Sequence, residues 1–174
     1  FPRHHPSTPT FRYLIEQIDW CRYVVDREPT SVQGVIHLSI DEDGVEDYQM
    51  MSLNFSPPGT PGAGPIAQIS CGRYIPLGWQ EAIAYRPLAE LQVSCERGIA
   101  FVDLPATLIW FDEAGRHQES LESERPVGEQ LLTHFYRSVT SLIRKTCDLE
   151  DAYRAICVIR AARQSHLEGR RIEL

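Results

Sequence analysis

The chain has 174 residues and is 43% apolar, enough for one domain with its own core and too much for a disordered chain. Its formal net charge of −7 disfavours nucleic acid as a partner, and no apolar run approaches the ~20 residues of a membrane span. Cys21, Cys71, Cys95, Cys147 and Cys157 lack CxxC spacing and read as small buried hydrophobes in a reducing compartment, not as a disulfide framework or a zinc site. No basic region leading into an apolar stretch opens the chain, so no signal peptide is expected and the expected location is the cytoplasm.

Residues 1–9 are rich in proline and histidine and read as an irregular lead-in. Thr8 and Pro9 offer a capping hydroxyl and a first-turn proline. Phe11, Leu14, Ile15, Ile18, Cys21 and Val25 then recur at helical spacing, which predicts a helix to about Asp26 that Pro29 stops. Residues 31–40 read as a strand with Val32, Gly34, Ile36, Leu38 and Ile40 on one face, joined through the turn Asp41-Glu42-Asp43-Gly44 to a partner over 48–55. The proline- and glycine-rich run 57–65 is a loop. A strand follows over 66–74, then a long loop over 75–87. Strands at 91–95 and 99–103 flank the turn Glu96-Arg97-Gly98, and strands at 107–111 and 117–121 flank a second turn at 112–116.

Two helices close the chain. Leu131, Leu132, Phe135, Val139, Leu142 and Ile143 trace an apolar stripe over 128–145. Asp148 caps the next helix with Asp151 at its third position, Ala152, Ala155, Ile156, Ile159 and Ala162 line its inner face, and Gly169 ends it. This order predicts an α+β domain over 1–174: one open, mostly antiparallel sheet of about six strands with helices packed on one face. Met50, Leu53, Phe55, Ile69, Val93, Phe101, Ile109 and Phe111 exceed what one helix layer covers, so the other sheet face is expected to form a homodimer or larger assembly.

The ending from Asp148 to Leu174, above all Glu168-Gly-Arg-Arg-Ile-Glu-Leu174, resembles the C-terminal ending of the glucose–fructose oxidoreductase, inositol dehydrogenase and MocA (Gfo/Idh/MocA) family. Ile-Asp-Trp-Cys-Arg-Tyr-Val-Val at 18–25, the stretch from Asp26 to Gly34, and Glu-Arg-Gly-Ile-Ala-Phe-Val-Asp at 96–103 carry the same resemblance over most of the chain. It implies the substrate and dimerisation domain of an NAD(P)-dependent oxidoreductase acting on a sugar-like or polyol small molecule. NAD or NADP is then expected on an N-terminal Rossmann half of the same chain. The 174 residues contain no GxGxxG and begin at Phe1 rather than Met, so that half is expected upstream.

Many members of that family carry, on the first helix of this domain, an acid, a histidine four residues on and an aspartate three further. Aligned on Asp19, those first two positions hold Arg12 and Glu16. Arg12, Glu16, Asp19 and Tyr23 share one helix face. Glu16 is the candidate catalytic group, able to accept the hydroxyl proton of an alcohol if partial burial raises its basicity. Arg12, Asp19 and Tyr23, with Tyr74, Trp79 and Arg86 from the long loop, are the candidate substrate-binding groups. The alternative is a non-catalytic binding or oligomerisation module, with the helix face a solvated ion-pair array. His4, His5, His37 and His117 have no metal-ligand spacing, residues 59–64 lack the ending of a phosphate loop, and no GxSxG occurs.

Overall fold

The computed structural model describes residues 9–38, 46–72, 91–103, 107–120, 126–140 and 149–174. Its elements are α1 (Pro9–Val25), β1 (Ser31–Leu38), β2 (Glu46–Asn54), β3 (Ile66–Gly72), β4 (Leu91–Cys95), β5 (Gly98–Asp103), β6 (Thr107–Asp112), β7 (Gly115–Ser120), α2 (Val127–Thr140), α3 (Leu149–Glu168) and β8 (Ile172–Glu173). The class is α+β. Among the described residues the strands form two four-stranded antiparallel sheets, ordered β3-β2-β1-β8 and β4-β5-β6-β7, where the sequence suggested one. The chain divides into two compact units, Phe1–Pro76 with Thr146–Leu174, and Leu77–Lys145. No described helix is long and apolar enough to cross a membrane.

In the first unit, helical periodicity and strand alternation meet on one core. Leu14, Ile18 and Cys21 of α1 are buried, with Phe11, Ile15 and Val25 packed at their margin. The β1–β2 register sets Val32 beside Leu53 and Gly34 beside Met51, and β3 adds Ile69 opposite Met51. Those residues therefore share the face that the helices cover. Leu53, Phe55 and Ile69 are buried there and need no second subunit. Met50 is on the opposite face, with Val35 and the polar Gln33, Ser52, Gln68 and Ser70. Leu38, expected inward, is half exposed at the far end of β1, and the hairpin turn at 41–44 and Ile40 lie outside the described residues.

The inner face of α3 is rotated from the expected one. Ala155, Ile159 and Ala162 are buried as anticipated, but Val158 and Ser165 join them while Ile156 is 41% exposed. Spacings of three and four leave either Ile156 or Val158 free to face inward, and contact with β1 selects Val158. That contact is close at Gly34, where a Cβ would fall within the Ala162 carbonyl group. The Gly34 N–H donates to Ser165 Oγ at 3.0 Å, and the Ser165 hydroxyl donates to the Arg170 carbonyl at 2.6 Å. Gly169 then takes a left-handed φ of 63° and stops α3. The tail returns as β8, pairing Ile172 with Val32, and the Leu174 N–H donates to the Thr30 carbonyl at 3.0 Å.

The second unit is a meander of β4 to β7. Val93, Phe101 and Ile109 are half-buried and Phe111 is exposed, with the two phenylalanine rings edge to face at 6.3 Å. At the β6–β7 turn the Asp112 carboxylate accepts the Ala114 N–H at 2.8 Å and lies 3.0 Å from His117 Nε2. His117, and then the turn amide, hold the Asp112 carboxyl below its usual range. The His117 ring stacks on Trp110 at 4.9 Å. Helix α2 carries the expected stripe, but Leu131, Leu132, Phe135 and Val139 are exposed; Leu142 and Ile143 lie outside the described residues. A helix in isolation keeps its amphipathic pattern whether or not a partner covers it.

The cysteines are less uniform than their composition suggests. Cys21 is buried, and burial pushes its thiol up to about 11. Cys71 and Cys157 are half-buried, and Cys95 is exposed at the end of β4 beside a turn. Cys147 lies outside the described residues.

Candidate functional site

The candidate residues of α1 do not converge on one point. Arg12 Nε donates to Glu16 Oε1 at 3.0 Å on the outer face of the helix, where the Glu16 side chain is 50% exposed. The partial burial that general-base chemistry requires is not supplied by the described residues around Glu16. Asp19 turns away from Glu16 and accepts Arg22 Nη1 at 3.0 Å. Tyr23 is exposed and meets Trp20 edge to face at 6.1 Å. Tyr74, Trp79 and Arg86 lie outside the described residues, as do His4 and His5. His37 is exposed on β1, and no three described His, Cys, Asp or Glu side chains are grouped as for a metal ion.

The best-organised polar cluster centres instead on Arg22, which sequence reading passed over. Its side chain is only 7% exposed. Nε and Nη2 donate to Glu28 at 2.8 and 2.7 Å, Nη1 to Asp19 and to the Asp151 carbonyl at 3.0 and 3.2 Å, and Nη2 to the Asp151 carboxylate at 2.9 Å. All five guanidinium N–H groups are thereby used. Arg154 closes the network, donating to Glu28 at 2.8 Å and to Glu150 at 2.6 Å.

Local backbone geometry brings these groups together. Asp26 follows α1 with a φ of 55°, a left-handed conformation that Asp tolerates better than most residues. The resulting reversal returns Glu28 to Arg22 six residues earlier. Asp151, near the N-terminus of α3, comes from across the chain and joins the two helices through one guanidinium. The only signal in the sequence was the Asp19–Arg22 spacing of three, which does not reveal the distant partner.

The Arg22 hydrogen bond, then that of Arg154, holds the Glu28 carboxyl below its ordinary value of 4.5. A carboxyl depressed in the folded state contributes stability that is complete above the unfolded value and is lost as pH falls through the folded one. Acid unfolding should therefore deepen below pH 4.5 in the wild type. Glu28→Gln should lower stability at neutral pH and flatten that acid limb. Identical acid limbs by circular dichroism would remove Glu28 from the response.

In the second unit, a solvent-open groove of about 460 Å³ lies between the β4–β5 and β6–β7 turns, lined by Glu96, Arg97, Asp112 and Glu113 among others. Its volume suits a small ligand, but turn residues on an open surface do not enclose one.

No protein-family model matches the sequence, and no curated protein does. Solved structures match the fold. The aldose–aldose oxidoreductase from Caulobacter crescentus, complexed with glycerol, aligns at a TM-score of 0.71 and 16% identity over 92% of this chain and 45% of its own. An oxidoreductase from Agrobacterium radiobacter in complex with NAD+, L-tartaric acid and magnesium aligns at 0.67 and 14% identity over 91% of this chain and 47% of its own. A Klebsiella pneumoniae protein, described only provisionally as an oxidoreductase, aligns at 0.70 and 14% identity over 100% of this chain and 51% of its own. The chain thus spans about half the length of the structures it matches. It has the α+β fold of the C-terminal domain of Gfo/Idh/MocA-type oxidoreductases, as the resemblance of its ending implied.

Proposed function

We propose that residues 1–174 form the substrate-binding and oligomerisation domain of a cytoplasmic NAD(P)-dependent oxidoreductase acting on a sugar-like or polyol small molecule. The carrying observation is the fold match over nearly the whole chain to an oxidoreductase complexed with glycerol, a polyol. The glycine-rich segment 59–64 leads into β3, not into a helix N-terminus, and so lacks the strand–loop–helix geometry of a dinucleotide loop. NAD or NADP is accordingly assigned to a preceding Rossmann half, where a bound nicotinamide would exchange hydride with the substrate. This chain would contribute position and proton handling. On the outer face of α1, Glu16 would accept the substrate hydroxyl proton once substrate or the other half covers it, with Arg12 orienting its carboxylate. Tyr23, Asp19 and the loop residues Tyr74, Trp79 and Arg86 would contact the substrate hydroxyls.

In the protein that includes the nucleotide-binding half, Glu16→Gln should lower kcat for NAD(P)-linked polyol oxidation by about 10²-fold or more, the range for a general base, with little change in KM. Unchanged turnover would take Glu16 out of the mechanism. The exposed Arg12–Glu16 pair also supports a second reading, a module that keeps the fold without chemistry. The two separate on the coding sequence before Phe1: an in-frame strand, GxGxxG and helix belong to the enzyme.

A further inference from the structure

The carboxylates that Arg22 holds are not equally committed to it. Glu28 uses both oxygens, Oε2 for Nε and Oε1 for Nη2 and for Arg154. Asp151 offers Oδ1 to Nη2 and its backbone carbonyl to Nη1. Asp19 offers only Oδ1, to Nη1 at 3.0 Å, and its side chain is 45% exposed. Among the described residues, Oδ2 of Asp19 accepts no hydrogen bond. The carbonyl that shares Nη1 with Asp19 belongs to the first turn of α3 and cannot rotate away. Because the guanidinium is planar and buried, fixing its other nitrogens fixes Nη1 as well. Asp19 is therefore an exposed carboxylate oriented by a buried anchor. Glu16 has no such anchor, since the Arg12 side chain that meets it is 84% exposed.

We infer that Arg22 is a positioning residue for substrate: it orients Asp19 so that Oδ2 accepts a hydroxyl of the polyol other than the one being oxidised. This rests on the oxidoreductase reading, in which Asp19 contacts the substrate, and adds to it the group that sets Asp19 in place. A carboxylate already held by a charged hydrogen bond loses little further side-chain freedom when a hydroxyl arrives. Asp19 faces Arg22 and not Glu16, so the hydroxyl it accepts is remote from the proton transfer. Its contribution belongs to binding that substrate and transition state share, which is read in KM and not in kcat.

Steady-state kinetics on the protein that includes the nucleotide-binding half test the assignment, with glycerol, D-glucitol and D-glucose as the alcohols and NAD+ or NADP+ as the hydride acceptor. Asp19→Asn should raise KM on the order of tenfold, the usual effect of losing a hydrogen bond to a charged group, with kcat unchanged. Arg22→Lys should raise KM by a similar factor, and in the Asp19→Asn background it should add less than about twofold. Glu28→Gln also weakens the network but leaves Nη1 between Asp19 and the Asp151 carbonyl. Its KM should stay within about twofold of wild type, while its melting temperature falls. Unchanged KM in either Asp19→Asn or Arg22→Lys overturns the inference and leaves the enzyme reading intact. A KM that rises as far in Glu28→Gln as in Arg22→Lys makes Arg22 purely structural, which also overturns it. So do effects of Asp19→Asn and Arg22→Lys that multiply independently. A wild type that oxidises none of these alcohols with either nucleotide overturns the enzyme reading and this inference together.

Discussion

Gly34→Ala should destabilise the first unit by about 3 kcal/mol, at the upper end of overfilled cores, or by more. A methyl group at that position meets the backbone of Ala162, not the end of a flexible side chain. Relief therefore requires α3 to slide or lift from β1, and that movement pulls Ser165 from the Gly34 amide. The amide would then be left buried without its acceptor, which carries a further cost of about 1–3 kcal/mol if no water replaces it. Gly128→Ala is the matched control. Open space surrounds Gly128, so alanine there should be neutral or favourable by up to about 1 kcal/mol. Urea unfolding of the two variants measures both; a loss below about 1 kcal/mol for Gly34→Ala would mean that α3 is not seated on β1 as described.

Arg22→Met should cost about 3 kcal/mol, and most of that is the penalty of leaving carboxylates unpaired. Glu28, Asp19 and Asp151 would lose the guanidinium they share, while Arg154 would still offset Glu28. The lower end of the range for broken buried pairs applies because the Glu28 side chain is still 44% exposed. Arg22→Lys keeps the charge but has three donors in place of a planar five-donor fork, so it should recover only part of the loss. Arg12→Met removes a pair of the same chemistry from a solvated helix face and should cost less than about 1 kcal/mol. Thermal unfolding of Arg22→Met and Arg12→Met side by side decides the matter. Equal losses would show that the buried network contributes no more than the exposed pair.

These two positions also mark the limit of what the sequence reveals. The burial of Leu14, Ile18 and Cys21, the antiparallel pairing of β1 with β2 and the stop at Gly169 were all legible, because each follows from periodicity or turn chemistry within a few residues. The resemblance of the ending pointed to the right fold. The face of α3 was misread at Ile156 because helical spacing alone leaves its azimuth open by about one residue, and contact with β1 resolves it. Of the candidate site on α1, the Arg12–Glu16 pair could be read from a spacing of four. The Asp19–Arg22 spacing of three was legible as well, but the burial of Arg22 against Asp151 was not, since Asp151 arrives from far along the chain.

Local chemistry written in the sequence therefore decides which residues form helix, strand and turn, and which side of each element is apolar. Tertiary structure alone decides the rest: that Gly34 is where a helix backbone touches a strand, that Arg22 binds three carboxylates from two helices and the turn between α1 and β1, and that the stripe of α2 is exposed among the described residues of its unit. The physical reason is range. Backbone propensity and periodicity act over a few residues, whereas burial and ion pairing depend on segments that only the fold brings within ångströms of each other.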